Sequence, residues 1–76
     1  MTNFPILSSY KLIRILNKIG FKVIRQKGSH AVLRHKDGRS AIIPIHKGRD
    51  LDYGLLRKIL KDLRISKDSF LKLLSS

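Results

Sequence analysis

The sequence contains no cysteine, so neither a disulfide nor a thiolate metal site can stabilise its fold. It also has no long hydrophobic run. The apolar patch at residues 4–7 is too short for the hydrophobic region of a signal peptide or for a membrane span. These absences predict an unprocessed, soluble protein, and we expect it to be cytoplasmic.

Acidic side chains are scarce. Five aspartates and no glutamate face 17 lysines and arginines, which gives a net charge of +12. Such a surplus predicts a polyanionic partner. The basic residues extend from Lys11 to Lys72 instead of lying along one amphipathic helix, which disfavours a membrane surface and favours a polynucleotide.

The length of 76 residues, with 42% apolar content, predicts one small domain over residues 1–76 with a modest core. Ser8 or Ser9 can cap a first helix that ends at Gly20. Its apolar residues recur at helical spacing, namely Leu12, Leu16 and Ile19. Its basic residues form a separate stripe, namely Lys11, Arg14 and Lys18, which is either a solvated face or an RNA contact.

Residues 21–26 predict a strand, and residues 30–36 and 39–46 predict a hairpin around Asp37 and Gly38. A two-residue loop would pair Lys36 with Arg39, whereas a three-residue loop with Gly38 in the left-handed conformation would pair His35 with Arg39. We favour the second loop because it gives one consistently apolar face, made of Ala31, Leu33, Ala41, Ile43 and Ile45.

With that register, His30, Val32 and Arg34 point to the opposite face of the sheet. Pro44 cannot donate to a ladder, so the strand should end near it. Farther on, Asp52 can cap a second helix with Leu51 and Leu56 as a hydrophobic staple.

The core stripe of the second helix is Leu55, Leu56, Ile59, Leu60 and Leu63. Ser66 can cap a short third helix. The predicted fold class is therefore α+β, in the order α-β-β-β-α-α, with a three-stranded antiparallel sheet covered by helices on one face.

The segment Lys27-Gly28-Ser29-His30 combines a glycine turn with a histidine at the start of a strand. Imidazole exchanges protons near neutral pH, and the backbone N–H groups of such a turn can bind an anion. In a basic protein this combination indicates cleavage of RNA, with His30 as the proton-transfer group. Lys27 and Arg34 would stabilise the charge that develops on the phosphate.

The other two histidines have weaker claims to a functional role. His35 should face away from His30, because five residues separate them along the strand, and we predict a structural role for it. His46 lies beside Lys47 and could contact substrate, although a solvated turn histidine is the simpler interpretation. Three histidines without clustered carboxylates make a poor metal site, so we expect no metal and no other cofactor.

Several segments, in this order and spacing, resemble the HicA toxin family, the ribonuclease partners of HicB antitoxins. They are the helix that ends at Gly20-Phe21, the segment from Val23 to His30, the turn Asp37-Gly38-Arg39, the tract Ile43-Pro44-Ile45-His46, and the segment from Gly54 to Lys61. The resemblance covers roughly residues 9–74 and implies a fold similar to double-stranded RNA-binding domains.

The resemblance implies that His30 is the catalytic residue and that Gly28 and Ser29 present it. It implies a metal-independent endoribonuclease that acts on messenger RNA and is neutralised by a HicB-like antitoxin. Our expected substrate-binding residues are Lys27, Gly28, Ser29, Arg34, His46 and Lys47. Ala31 departs from the family pattern, in which many members carry a second polar residue or histidine, and so does Leu55, where a threonine is common.

Two other functions stay open on the sequence. A non-catalytic module could bind double-stranded RNA by shape and phosphate contacts alone. A ribosome-associated basic protein would have no chemical use for its histidines. A neighbouring gene for an acidic HicB-like protein would separate the toxin from both.

Overall fold

The computed structural model describes residues 6–46 and 48–75. Its elements are helix α1 (Ser9–Asn17), strands β1 (Lys22–Lys27), β2 (His30–Arg34) and β3 (Ser40–Pro44), and helices α2 (Tyr53–Asp62) and α3 (Lys67–Leu74). The strands form an antiparallel sheet in the order β1-β2-β3. The predicted fold class and element order are confirmed.

All three helices begin where the sequence predicts. Ser8 and Ser66 each accept a hydrogen bond from the backbone N–H three residues on, and Asp52 accepts one from the N–H two residues on. These bonds satisfy N–H groups that have no partner inside the helix. Short polar side chains therefore fix the helix starts, as local sequence predicts.

The β2–β3 hairpin has the three-residue loop. The His35 N–H donates to the Arg39 carbonyl at 2.8 Å, and Gly38 adopts a φ of 98°. Ala31 lies opposite Ile43, and Leu33 lies opposite Ala41. Since all four are buried, the favoured register is confirmed.

The core lies between this face of the sheet and the helices. Its buried apolar residues are Leu7, Leu12, Ile15, Leu16, Phe21, Ala31, Leu33, Ala41, Ile43, Leu51, Leu56, Ile59, Leu60, Leu63 and Phe70. Of the apolar residues predicted to face the core, Ile19, Ile45 and Leu55 are only half-buried. The opposite face of the sheet, hereafter the open face, carries the exposed His30 and Arg34 and the half-buried Val32.

Strand β1 lies at an edge of the sheet, and all six of its residues are exposed. Its register with β2 shifts between Val23, opposite Leu33, and Arg25, opposite Val32. Ile24 is thus the extra residue of a β-bulge. The bulge turns Arg25 to the open face, although two residues of a regular strand would keep Arg25 on the same side as Val23.

The β2–β3 turn is fixed through His35 to the turn that follows α1. Nε2 of His35 donates to the Ile19 carbonyl at 3.1 Å, because a carbonyl oxygen can only accept. The ring also meets Phe21 edge-on, with centroids 5.0 Å apart. These contacts give His35 the structural role predicted for it.

The same turn is fixed to the end of α2 through Arg39. Its guanidinium lies 5.0 Å from the centroid of the Phe21 ring and donates to the Leu63 carbonyl at 2.9 Å. The backbone N–H and the guanidinium of Arg39 both donate to Asp37, which lowers the pKa of that carboxyl below its ordinary value. The turn is therefore an ordered part of the fold.

We expect Gly20→Ala to destabilise the protein more than Gly38→Ala. The two glycines have nearly equal φ, 99° and 98°, so both variants carry the cost of a left-handed alanine, about 1–2 kcal/mol. At Gly20 an added Cβ would also lie 2.8 Å from Nε2 of His35, whereas at Gly38 it would meet nothing within 4 Å. Urea unfolding followed by circular dichroism measures the difference in stability between the two variants. Equal unfolding midpoints would contradict the expected steric contact between the added Cβ at position 20 and the His35 ring.

Candidate active site

The Gly28–Ser29 turn joins β1 to β2 and places Lys27 directly opposite His30. Gly28 has a φ of 57°, whereas Ser29 does not adopt a positive φ. A positive φ at the first turn residue alone is the pattern of a type II′ turn, which favours glycine there. The sequence Gly-Ser thus matches the turn that brings Lys27 and His30 together.

His30 is held by backbone on both sides while its ring stays exposed. Across from it on β3 is Pro44, whose carbonyl accepts a hydrogen bond from the buried Ser9 hydroxyl at 2.7 Å. One residue earlier, the Ser29 carbonyl accepts from the Ile45 N–H at 2.6 Å. Within residues 6–46 and 48–75 the His30 imidazole has no hydrogen-bond partner, so its nitrogens are available to a ligand.

A shallow depression on the open face surrounds His30 and is hereafter called the His30 depression. It is lined by Arg25, Lys27, Gly28, Ser29, His30, Val32 and Ile42. Lys27, Gly28 and Ser29, which the sequence predicted as substrate-binding residues, are therefore next to the predicted catalytic residue. None of these seven described residues is acidic, so the charge of the depression favours an anion.

Arg34 shares the open face with His30 but lies at the other end of β2. Four residues of strand separate them, which is about 13 Å along the sheet. Arg34 instead lines a second depression together with Lys22 and Lys36. The structure therefore does not bring Arg34 close to His30. The sequence predicted it as a substrate-binding residue because alternation along a strand indicates which face a residue occupies, but alternation does not indicate how far apart two residues on that face are.

Arg25 lines the depression, although the sequence did not predict it as a site residue. Arg25 lies on β1, directly opposite Val32 on β2. The bulge at Ile24 places it there, and a bulge changes the face of every later residue in the strand. The signal available in the sequence was the spacing of Arg25 and Lys27, two cations two residues apart, which share a face in a strand.

His46 is exposed and follows Ile45, the residue whose N–H is bonded to Ser29. Its own carbonyl accepts a hydrogen bond from the Arg49 N–H at 3.1 Å. The chain at His46 therefore passes close to the Gly28–Ser29 turn, although His46 does not line the depression. Lys47, the last predicted substrate-binding residue, lies outside the described residues.

Across residues 6–46 and 48–75, no three histidines or carboxylates come together in a group that could hold a metal ion. None of the helices described there is both long enough and apolar enough to cross a membrane.

Together, the fold and the depression define a small basic α+β protein with an exposed histidine at a cationic surface. Residues 9–65 match the family described as HicA toxin of bacterial toxin-antitoxin systems. This match covers most of the chain, and the protein belongs to the HicA toxin family. The matched range contains α1, the whole sheet and α2, and it ends before α3. No curated protein sequence matches the chain.

Family membership gives the protein the role of a toxin in a toxin-antitoxin system. In general terms it also gives an antitoxin as partner and RNA as target. The position of His30 among cationic side chains agrees with such a target.

We expect RNA affinity to fall steeply with salt, because each neutralised phosphate releases condensed counterions, with a log-log slope of about −0.7 per contact on a single strand. Arg25→Gln should make the slope shallower by about 0.7, since one phosphate contact is lost. Lys72→Gln, on α3, removes the same charge away from the depression and should leave the slope unchanged. Fluorescence anisotropy at several salt concentrations gives the slopes, and equal slopes for both variants would exclude a local role for Arg25.

Proposed function

We propose that this toxin is a metal-independent endoribonuclease that cleaves messenger RNA and uses His30 for proton transfer. The observation that supports the proposal best is the free imidazole of His30, fixed through its backbone at a cationic depression without acidic side chains. A general base must be exposed to substrate and yet held in position. The exposed ring of His30 meets the first requirement, and the backbone contacts on both sides of His30 meet the second.

In the proposed reaction the 2′-hydroxyl of the substrate attacks the adjacent phosphorus. His30, in its neutral form, takes the hydroxyl proton as the new O–P bond forms. The bond from phosphorus to the 5′-oxygen of the next nucleotide then breaks, that oxygen takes up a proton from water, and the proton held by His30 returns to the solvent. The products are a 2′,3′-cyclic phosphate and a free 5′-hydroxyl, and no metal is needed because the attacking oxygen is part of the substrate.

Charge develops on the phosphoryl oxygens during this step. The N–H groups of Gly28 and Ser29 donate to no other group among the described residues, so both can donate to the phosphoryl oxygens. Lys27, directly opposite His30, adds a positive charge. Donors fixed in a turn need no rearrangement during the reaction, which is the condition under which they stabilise a transition state best.

The proposed partner is a HicB-like antitoxin that covers His30 with an acidic surface, and the proposed location is the cytoplasm, where messenger RNA is translated. Charges that attract RNA also accelerate association with an acidic protein. Antitoxin and RNA would then compete for one surface.

We expect His30→Ala to lower the rate of RNA cleavage by about 10²- to 10⁴-fold, the usual contribution of general acid-base catalysis. Wild-type cleavage should persist in EDTA, and RNA that carries a 2′-O-methyl group at the cleaved position should stay intact. Lys72→Gln is the control, because it removes an exposed side chain on α3, outside the depression. The rates come from gel analysis of a labelled RNA, and circular dichroism checks that each variant is folded.

More than a few per cent of the wild-type rate in His30→Ala, with a folded variant, would exclude His30 as the catalyst. If the wild-type protein binds RNA with the expected salt dependence but leaves it intact, the protein is a binding module. One observation favours that alternative: among the described residues that line the depression there is one histidine, and no carboxylate that could act as a second proton-transfer group.

We also expect an acidic HicB-like protein, encoded beside this chain, to inhibit cleavage competitively with RNA. In the complex, diethyl pyrocarbonate should no longer modify His30, because the antitoxin buries it. Mass spectrometry of the free and bound toxin measures the modification at each histidine. An inhibited complex in which His30 still reacts and RNA still binds would contradict inhibition by covering.

A further inference from the structure

An apolar patch lies on the open face next to His30. Val32 and Ile42 are paired across β2 and β3, and Ile42 is 57% exposed. An antiparallel sheet with one solvated face normally carries polar residues on that face. Two neighbouring aliphatic side chains in the His30 depression are therefore a feature that the proposed proton transfer does not use.

Cationic side chains border this patch in a regular order. One row across the sheet contains Arg25, Val32 and Ile42. The next row contains Lys27, His30 and Pro44. Two residues of strand separate the rows, which is about 7 Å. A ligand that reaches both rows would place an apolar part on the first and an anionic part on the second.

We propose that Val32 and Ile42 form a seat for one nucleobase next to the phosphate at His30; this inference rests on the proposed function and deepens it. A nucleotide is an apolar planar group attached to an anion, and the two rows present these features in that arrangement. An apolar protein side chain would satisfy Val32 and Ile42 but would leave the cations beside them without a partner.

The seat differs from the aromatic platforms of many RNA-binding proteins, because the sequences of β1, β2 and β3 contain no phenylalanine, tyrosine or tryptophan. Apolar side chains also hold unstacked bases in enzymes, and an arginine guanidinium can stack on a base. Arg25, opposite Val32, lies where its guanidinium can cover the edge of the base. The substrate is therefore an RNA nucleotide whose base is not stacked in a duplex.

The experiment compares Ile42→Thr with Ile24→Thr. Ile24 is 56% exposed on the same sheet but lies outside the His30 depression, so the control removes a matched side chain elsewhere. Both substitutions keep a β-branched residue in a strand, which preserves local strand preference. The ligands are a six-nucleotide RNA, made uncleavable by 2′-O-methyl groups, and six derivatives in which one base in turn is replaced by hydrogen.

We expect Ile42→Thr to weaken binding of the intact RNA about ten-fold, which corresponds to about 1.4 kcal/mol. One of the six derivatives should bind wild-type protein with a similar loss and should show no further loss with Ile42→Thr. This lack of additivity assigns the missing base to Ile42. Ile24→Thr should bind all seven ligands as the wild-type protein does.

Additive losses of affinity for every derivative, or no loss of affinity with Ile42→Thr, would contradict the proposed seat for a nucleobase. So would an Ile42→Thr variant that binds RNA normally but has lost affinity for the acidic antitoxin, because the patch would then serve protein docking. Binding of an uncleavable RNA is independent of catalysis. If cleavage assays show that His30 is not a catalyst, RNA binding by Ile42→Thr and Ile24→Thr still tests whether a nucleobase binds at Val32 and Ile42.

Discussion

The hydrogen bond from the His35 N–H to the Arg39 carbonyl, 2.8 Å long, sets the register on which the rest of the structure depends. It closes the three-residue turn and so pairs Ala31 with Ile43 and His30 with Pro44. A slip of one residue would move every side chain of one strand to the other face. His30 would then point into the core, and the exposed side would carry Ala31. The same bond thus determines which residues face the core and which face the candidate active site.

Contacts beyond the sheet keep this register fixed. Phe21 is fully buried between the ring of His35 and the guanidinium of Arg39, and Arg39 also reaches the end of α2. At the other end of the hairpin, Ser9 of α1 binds the carbonyl of Pro44, opposite His30. Both ends of the hairpin are therefore tied to helices. A histidine on such a strand is positioned more accurately than one on an exposed loop.

Local signals predicted the elements well, because they act within a few residues. The caps at Ser8, Asp52 and Ser66 and the turn at Gly38 all depend on nearby backbone. The set of residues around His30 was harder to predict, since it depends on how separate strands align. The bulge at Ile24 brings Arg25 to the depression, where its two-residue spacing from Lys27 was the signal for it in the sequence, and strand length keeps Arg34 away.

A chain of 76 residues has enough apolar side chains to cover one face of a three-stranded sheet, and the other face stays in water. An uncovered face that carried only aliphatic residues would be prone to association, as would the free edge of β1. Arg25 and Lys27 oppose both outcomes by charge, because they lie on the edge strand and flank the apolar patch. In the proposed function the same charges attract RNA, so one set of residues would serve both solubility and binding. Within residues 6–46 and 48–75 the fold provides no second layer over this face, so its side chains remain accessible to a partner.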